Sequence, residues 1–556
     1  MKQLFCFILV VFVIFSCKKE EKSIIVTEEA VPQWKPYDES KDLEKTKTLE
    51  QSRMHLKLIN SKVKDKNDIW ESLNTQMAGF TNNDYQSLKP LILDKSIPEL
   101  QNAIKIGDLS YEKLVKFYIY RIRKFETDNM LSLNAVLSLN PQVINEARRL
   151  DETDKSTIDM HSIYGMPILL KDNIDVKGMV TTAGAVALKD NRVDADAFIT
   201  ERLKHQNALI LGKANLSEWA YFLCAGCPVG YSAIGGQTMN PYGRLVFESG
   251  GSSSGSGAAV AANFCVAAIG TETSGSILSP SSQNSLVGLK PTVGVLSRSG
   301  IVPISSSLDT PGPMTKNVID NAIVLDAMLG KDQKDKSSVS VNYSAIEALK
   351  SPNLEGKKFG IFKEFVADSL YNQAISEIRK SGGLIFEIEP DQVALPGFLT
   401  LLSADMKTDL KVYLNNTDSN KVSVKSVEDI VNFNSKDSLK RIPYGQQLFD
   451  GIVQDGTSFE ELTDIKRQLE ISGRRYFDSF FDKYGLDAIL SINNHHAGYA
   501  AVAKYPALTV PMGYTASGEP KGLTFIGKQF TEDKLLYYGK AFEDLTGYRI
   551  APQDYK

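Results

Sequence analysis

Apolar residues recur at three- and four-residue steps between Ile97 and Asp154. Leu100, Ala103 and Ile104, then Leu114, Phe117, Tyr118 and Ile122, would each line one face of a helix. The spacing predicts a helical stretch there. Upstream, Leu56, Leu58, Ile59, Trp70 and Leu73 predict an N-terminal segment of short helices over 51–96. After Met166 the texture changes. Short apolar runs at Pro167–Leu170, Ala208–Leu211, Val266–Ile269, Phe359–Phe362, Leu384–Phe386, Ala488–Ile492 and Leu508–Val510 alternate with helical stretches. Runs of this length bounded by Gly, Asn or Pro read as buried strands, so the class is α/β. From about 331 to 481 the chain is more charged and more helical, which predicts a helical insertion into the sheet domain.

The N-terminus follows a different rule. Lys2 precedes an apolar run from Leu4 to Phe15 that is too short to span a bilayer, so 1–16 reads as a signal peptide. Ser16-Cys17 followed by Lys18-Lys19 resembles a bacterial lipobox, which would make Cys17 the lipidated first residue of the mature chain. That places the protein on a membrane of the bacterial cell envelope, facing the periplasm or the surface. Residues 17–50, rich in Glu, Lys and Thr, would serve as a flexible charged tether.

Composition narrows the options. With 556 residues, 42% hydrophobic and 23% charged, the chain can build a large core. The formal net charge is −4 with both signs dispersed, and no basic block tracks a phosphate backbone, so nucleic acid is not an expected partner. Cys224 and Cys227 form a C-x-x-C pair that fits unpaired thiols or a local disulfide. Zinc would need further Cys or His ligands that no neighbouring residue supplies.

The densest chemistry lies in two Ser/Gly loops, Ser249–Gly257 and Gly270–Ser276, separated by an apolar stretch. Small residues let backbone approach a ligand closely, and successive amides in such turns can face one oxyanion. A phosphate loop is excluded because Ala214 follows Gly212-Lys213, and a dinucleotide fingerprint fails at Val260. What survives is a hydroxyl nucleophile. Gly251–Gly255 fits G-x-S-x-G, with Ser253 as an elbow nucleophile and His495 or His496 as its base. Alternatively, Lys171 at the end of an apolar run could act as a neutral base if buried.

Taken together, Pro167–Gly178, Thr181–Gly184, Gly212–Trp219, Gly235–Pro241, Gly250–Ala262, Gly270–Pro280 and Gly288–Gly294 resemble the amidase signature family, in this order, within a resemblance running from about Ile97 to Pro552. The nearest likeness is to bacterial peptide amidases. The resemblance implies one large domain over 97–556, a central mixed β-sheet covered by helices. It implies a Ser–cis-Ser–Lys triad of Ser276, Ser252 and Lys171, with the cis peptide at Gly251–Ser252. Backbone amides of Thr273, Ser274, Gly275 and Ser276 would form the oxyanion hole, and Thr271 would line the pocket. No metal or cofactor is required. The implied activity is hydrolysis of a linear carbon–nitrogen amide bond in a small amide or amidated peptide. Two other readings are the amidase component of a glutamyl-tRNA amidotransferase and a lipid-anchored binding protein on an inactive amidase scaffold. Leu278 stands where many family members carry Arg, which speaks against an acidic substrate.

Overall fold

The computed structural model describes residues 32–391 and 393–556. The expected signal peptide, Cys17 and the first part of the tether, through residue 31, lie outside the described residues. Thirteen strands occur in chain order among the described residues: β1 (Val136–Leu139), β2 (Pro167–Lys171), β3 (Leu209–Ala214), β4 (Tyr231–Ser232), β5 (Gly236–Gln237), β6 (Ala267–Glu272), β7 (Val287–Lys290), β8 (Thr310–Thr315), β9 (Lys358–Phe362), β10 (Leu384–Ile388), β11 (Ala488–Ile492), β12 (Ala507–Tyr514) and β13 (Pro520–Ile526). Eleven of them make one mixed sheet, in the order β1-β3-β2-β6-β8-β7-β12-β13-β11-β9-β10, while β4 and β5 form a separate hairpin. The α/β class, with a large mixed sheet covered by helices, is thus the observed architecture.

Strands β2, β3 and β6 are buried along their whole length. Both faces of the sheet are covered by helices, which is why their sequences are continuous apolar runs rather than alternating ones. The helix Tyr111–Glu126 opens on a Ser110 cap, and Ile97–Lys105 on a Ser96/Glu99 capping box, as the sequence pattern requires. Between them and the helix Val143–Asp151 lies β1, an edge strand that the helical reading of 97–154 passed over.

Two other expectations need correction. The helical insertion is narrower than 331–481, because the strands read at Phe359–Phe362 and Leu384–Phe386 form β9 and β10 and join the central sheet. The helical part runs from Phe398 to Tyr484 and builds a second apolar core. Leu402, Met406, Leu410, Ile430 and Phe449 pack there with Trp219, Phe222 and Leu223. Nor is the described part of the tether, 32–50, free of the body. Glu39 is buried and accepts hydrogen bonds from the Ile59 and Asn60 amides at 3.0 Å each, and Trp34 Nε1 donates to Asn129. Its charged composition conceals these few anchoring residues. Among the described residues no helix is long and apolar enough to cross a membrane.

Candidate active site

Lys171 is the last residue of β2, and parallel pairing of β2 with β6 brings it beside the Ser/Gly turn that follows β6. Its side chain is fully buried. Nζ donates to Ser252 Oγ at 2.8 Å, to Thr271 Oγ1 at 2.8 Å and to the Thr271 carbonyl at 3.2 Å. Burial disfavours the ammonium and holds its pKa down at about 7, although the carboxylates of Asp309 and Glu272 pull it the other way. Asn173 Nδ2 donates to the same Thr271 hydroxyl at 3.0 Å, fixing the acceptor that faces the lysine.

Ser252 follows the cis peptide Gly251–Ser252, the one cis bond among the described residues, and its side chain is enclosed. Gly251 tolerates no side chain. A Cβ there would stand 2.6 Å from Val229 Cγ1 and 2.7 Å from Ser217 Oγ. The Ser217 amide donates to the Ser252 carbonyl at 3.0 Å, and the Ser253 amide donates to the Ser276 carbonyl at 3.2 Å. The two Ser/Gly loops are therefore joined through backbone. Of the three triad candidates only Ser276 is partly accessible, and its hydroxyl makes no hydrogen bond among the described residues. The structure thus pairs Lys171 with Ser252 directly and brings Ser276 to the same loops through its carbonyl.

The oxyanion turn departs from expectation at one position. The Gly275 amide already donates to Glu272 Oε1 at 2.7 Å, and the amides of Ile277 and Leu278 donate to Glu272 Oε2 at 2.7 and 3.0 Å. Gly275 is then not a free oxyanion donor. Its value lies in its φ of +86°, which the turn requires. The amides of Thr273, Ser274 and Ser276 have no acceptor among the described residues. Glu272 is a residue that the motif reading missed: it lies within the Gly270–Ser276 loop of that reading, is the last residue of β6, and its carboxylate gathers the turn's amides.

The elbow arrangement is not assembled. Ser253 is fully buried, and its hydroxyl is engaged by the Thr271 backbone at 3.1 and 3.2 Å. His496 Nδ1 is bonded to Ser491 Oγ at 2.7 Å and its ring stacks on Phe362 with centroids 3.7 Å apart. Burial drives its pKa down to about 3. His495 packs edge-on against Phe365. Leu245–Phe247, the apolar run just ahead of the first Ser/Gly loop, is a turn with Leu245 at φ +62°, so no strand leads into Ser253 as an elbow requires.

Against Thr271, the hydrogen-bond partner of the lysine, opens a cavity of about 760 Å³, bounded also by Asn173, Thr273, Asp309, Ile301–Ile304 and, from the helical region, Val412 and Tyr413. Ala220 lines it from a turn in which Trp219, Ala220 and Tyr221 all have φ between +51° and +72°. Cys224 and Cys227 are disulfide-paired, with Cα atoms 5.8 Å apart, and Cys265 is a buried free thiol. Leu278 is buried in an apolar cluster with Phe362 and Tyr476 and offers no charge to the cavity. No group of His, Cys, Asp and Glu suited to a metal ion occurs among the described residues.

Comparison with known proteins identifies the family and the fold. Residues 113–497 match the family model described as Amidase. A probable amidase of Arabidopsis thaliana is 35% identical over 484 residues, covering 83% of this chain and 92% of that protein. A glutamyl-tRNA(Gln) amidotransferase subunit of a Ruegeria species is 29% identical over 494 residues, covering 82% and 98%. Among solved structures, an amidase family protein from Bacillus anthracis superposes with TM-score 0.84 at 34% identity, covering 89% of this chain and all of that one. The native peptide amidase of Stenotrophomonas maltophilia gives TM-score 0.77 at 35% identity, covering 83% and 99%. A family match over well more than half of the chain and likeness along nearly the full length of these proteins lead to one conclusion: the chain belongs to the amidase signature family.

Proposed function

We propose that the protein hydrolyses linear carbon–nitrogen amide bonds through an acyl-enzyme, with Ser276 as nucleophile, Ser252 as relay and Lys171 as base. The observation that carries this reading is the 2.8 Å contact between a fully buried lysine and Ser252 Oγ. Neutral Lys171 takes the Ser252 proton, Ser252 takes the Ser276 proton, and Ser276 Oγ bonds to the amide carbon. The developing oxyanion accepts from the amides of Thr273, Ser274 and Ser276. The relay then returns a proton to the leaving nitrogen as the C–N bond breaks. Water repeats the sequence on the ester, releasing the acid and regenerating Ser276. Mutation of a single oxyanion donor in other acyl-transfer enzymes costs on the order of 10²-fold in turnover, so three free amides are a substantial part of the chemistry.

C-terminally amidated peptides are the substrate class that the likeness to the Stenotrophomonas peptide amidase supports, and the apolar Leu278 is consistent with an uncharged group beside the nucleophile. The test is ammonia release from a panel of amidated peptides and simple amides. Activity on one of these that disappears in Ser276→Ala is the expected result, and an inert wild type across the panel overturns the reading.

The amidotransferase alternative draws support from the nearly full-length likeness to the Ruegeria protein. It differs in expecting the isolated chain to be inert on free amides until further amidotransferase components are supplied. Attachment through a lipid on Cys17 belongs to the same proposal. Wild-type protein is expected in the membrane fraction and Cys17→Ala in the soluble one, and a soluble wild type would sink the anchor.

A further inference from the structure

Strand pairing places one more carboxyl group at the edge of the active site. β6 and β8 run antiparallel with Glu272 opposite Thr310, so the next residues outward, Thr273 and Asp309, face each other just beyond the ladder. Asp309 is half-buried and lines the cavity. Its Oδ1 accepts from Thr273 Oγ1 at 2.6 Å, and its Oδ2 accepts from the Ile304 amide at 2.8 Å and the Ser305 amide at 2.9 Å. One carboxylate thus ties the first residue of the nucleophile's turn to the chain segment that walls the cavity. Resting on the triad reading above, we infer that Asp309 is a positioning residue of the acyl-transfer site, holding the Thr273 amide toward the oxyanion position and biasing the proton on Lys171.

The hydrogen bonds carry the first half of this role. Thr273 has a free amide and a hydroxyl that is locked in place, so the direction of that amide is set through Asp309. The Ser305 hydroxyl donates to Asp405 of the helical region at 2.6 Å, so the same carboxylate connects the turn to the far wall. Charge carries the second half. The charged groups that act on Lys171 are Asp309 and Glu272, and Asp309 in turn feels Arg298, which is itself held by Asp335. A carboxylate at position 309 favours the protonated lysine and so opposes formation of the base. Burial raises the Asp309 carboxyl to about 6, so it is ionised in the range where Lys171 loses its proton.

The two halves separate experimentally. A fluorophosphonate probe reacts at Ser276 by P–O bond formation and loss of fluoride, and its labelling rate follows nucleophile activation whatever the natural substrate. In wild-type protein the rate is expected to rise with pH through about 7. Asp309→Asn removes the charge and keeps the shape. The expected result is a fall of about tenfold in the plateau rate, with the midpoint moved down by about one pH unit as Lys171 deprotonates more easily. Thr273→Val cuts the hydroxyl link but leaves the charge, so its plateau should fall while its midpoint stays. A merely structural role for Asp309 would lower the rate without moving the midpoint, and that outcome, or a wild-type rate and midpoint in Asp309→Asn, overturns the proposal. Failure of the underlying triad reading has a different signature: wild-type protein that is not labelled at Ser276 sinks both. If Asp309→Asn does not fold, Thr273→Val decides alone: a plateau equal to that of wild type overturns the positioning role.

Discussion

Lys171 Nζ and Ser252 Oγ are 2.8 Å apart in a space closed to solvent, although 81 residues separate them in the chain. The other hydrogen bonds of this amine go to Thr271, through its hydroxyl and carbonyl. Among the described residues no carboxylate salt-bridges it. A lysine held this way gives up its proton near neutral pH, and its substitution and titration are both open to measurement.

Arginine is the discriminating substitution at 171. It preserves charge and approximate length but cannot release its proton near neutral pH. Lys171→Arg is expected to lose at least about 10²-fold in turnover and in Ser276 labelling, the usual scale for a lost general base. A folded Lys171→Arg protein that keeps most of its activity would show that the lysine only fills space.

The pH dependence has a definite sign. Burial lowers the Lys171 pKa from 10.5 to about 7, so activity should rise as pH increases through about 7. Stability should move too. Between pH 7 and 10.5 the unfolded chain binds a proton that the native lysine has lost, so wild-type stability increases with pH across that window and is level below it. Lys171→Met lacks this proton linkage. The difference between its melting temperature and that of wild type should shift in favour of the variant as pH falls from 10.5 to 7 and then stay constant. Parallel melting curves at all pH values would contradict a depressed native pKa.

Peptide mapping after fluorophosphonate treatment should find the adduct on Ser276. Ser253→Ala is expected to retain labelling, with a stability loss of about 1–3 kcal/mol for the Thr271 amide left without its acceptor. Ser252→Ala should abolish labelling. His495→Ala and His496→Ala should leave it intact. An adduct on Ser253 would restore the elbow arrangement.

Ala220 occupies left-handed backbone at φ +54° in the middle of three such residues. Left-handed conformation costs a non-glycine residue about 1–2 kcal/mol. Ala220→Gly relieves this, offset in part by the greater freedom of glycine in the unfolded chain, and should raise the denaturant midpoint. A lower midpoint would mean that the methyl group lining the cavity contributes more than the strain costs.

Part of this site is legible in the sequence. Lys171 ends an apolar run and the two Ser/Gly loops stand on either side of another, which draws attention to them, whereas the roles read for Ser276, Ser252 and Lys171 come from the family resemblance. The rest is hidden for identifiable reasons. β8 reads Thr-Pro-Gly-Pro-Met-Thr, and two prolines disguise a strand that lies inside the sheet. Asp309 precedes it in a Ser-rich loop and gains meaning only from the register that sets it opposite Thr273. Glu272 stands in the sequence as one charged residue within a Ser/Gly loop, and nothing local shows that its carboxylate collects three amides of the following turn. The packing of 32–50 depends on a handful of residues such as Glu39 in an otherwise tether-like composition.

The helical region from Phe398 to Tyr484 touches the cavity but makes no hydrogen bond to Lys171, Ser252 or Ser276 among the described residues. It is held by its own apolar core and by polar ties such as Tyr413 to Asp175 and Asp405 to Ser305. The region thus meets the cavity as a wall and not as a partner of the three residues. Grafting it from a relative, with its ties preserved, is expected to change which amides are accepted, as ammonia release from a panel of amides would read.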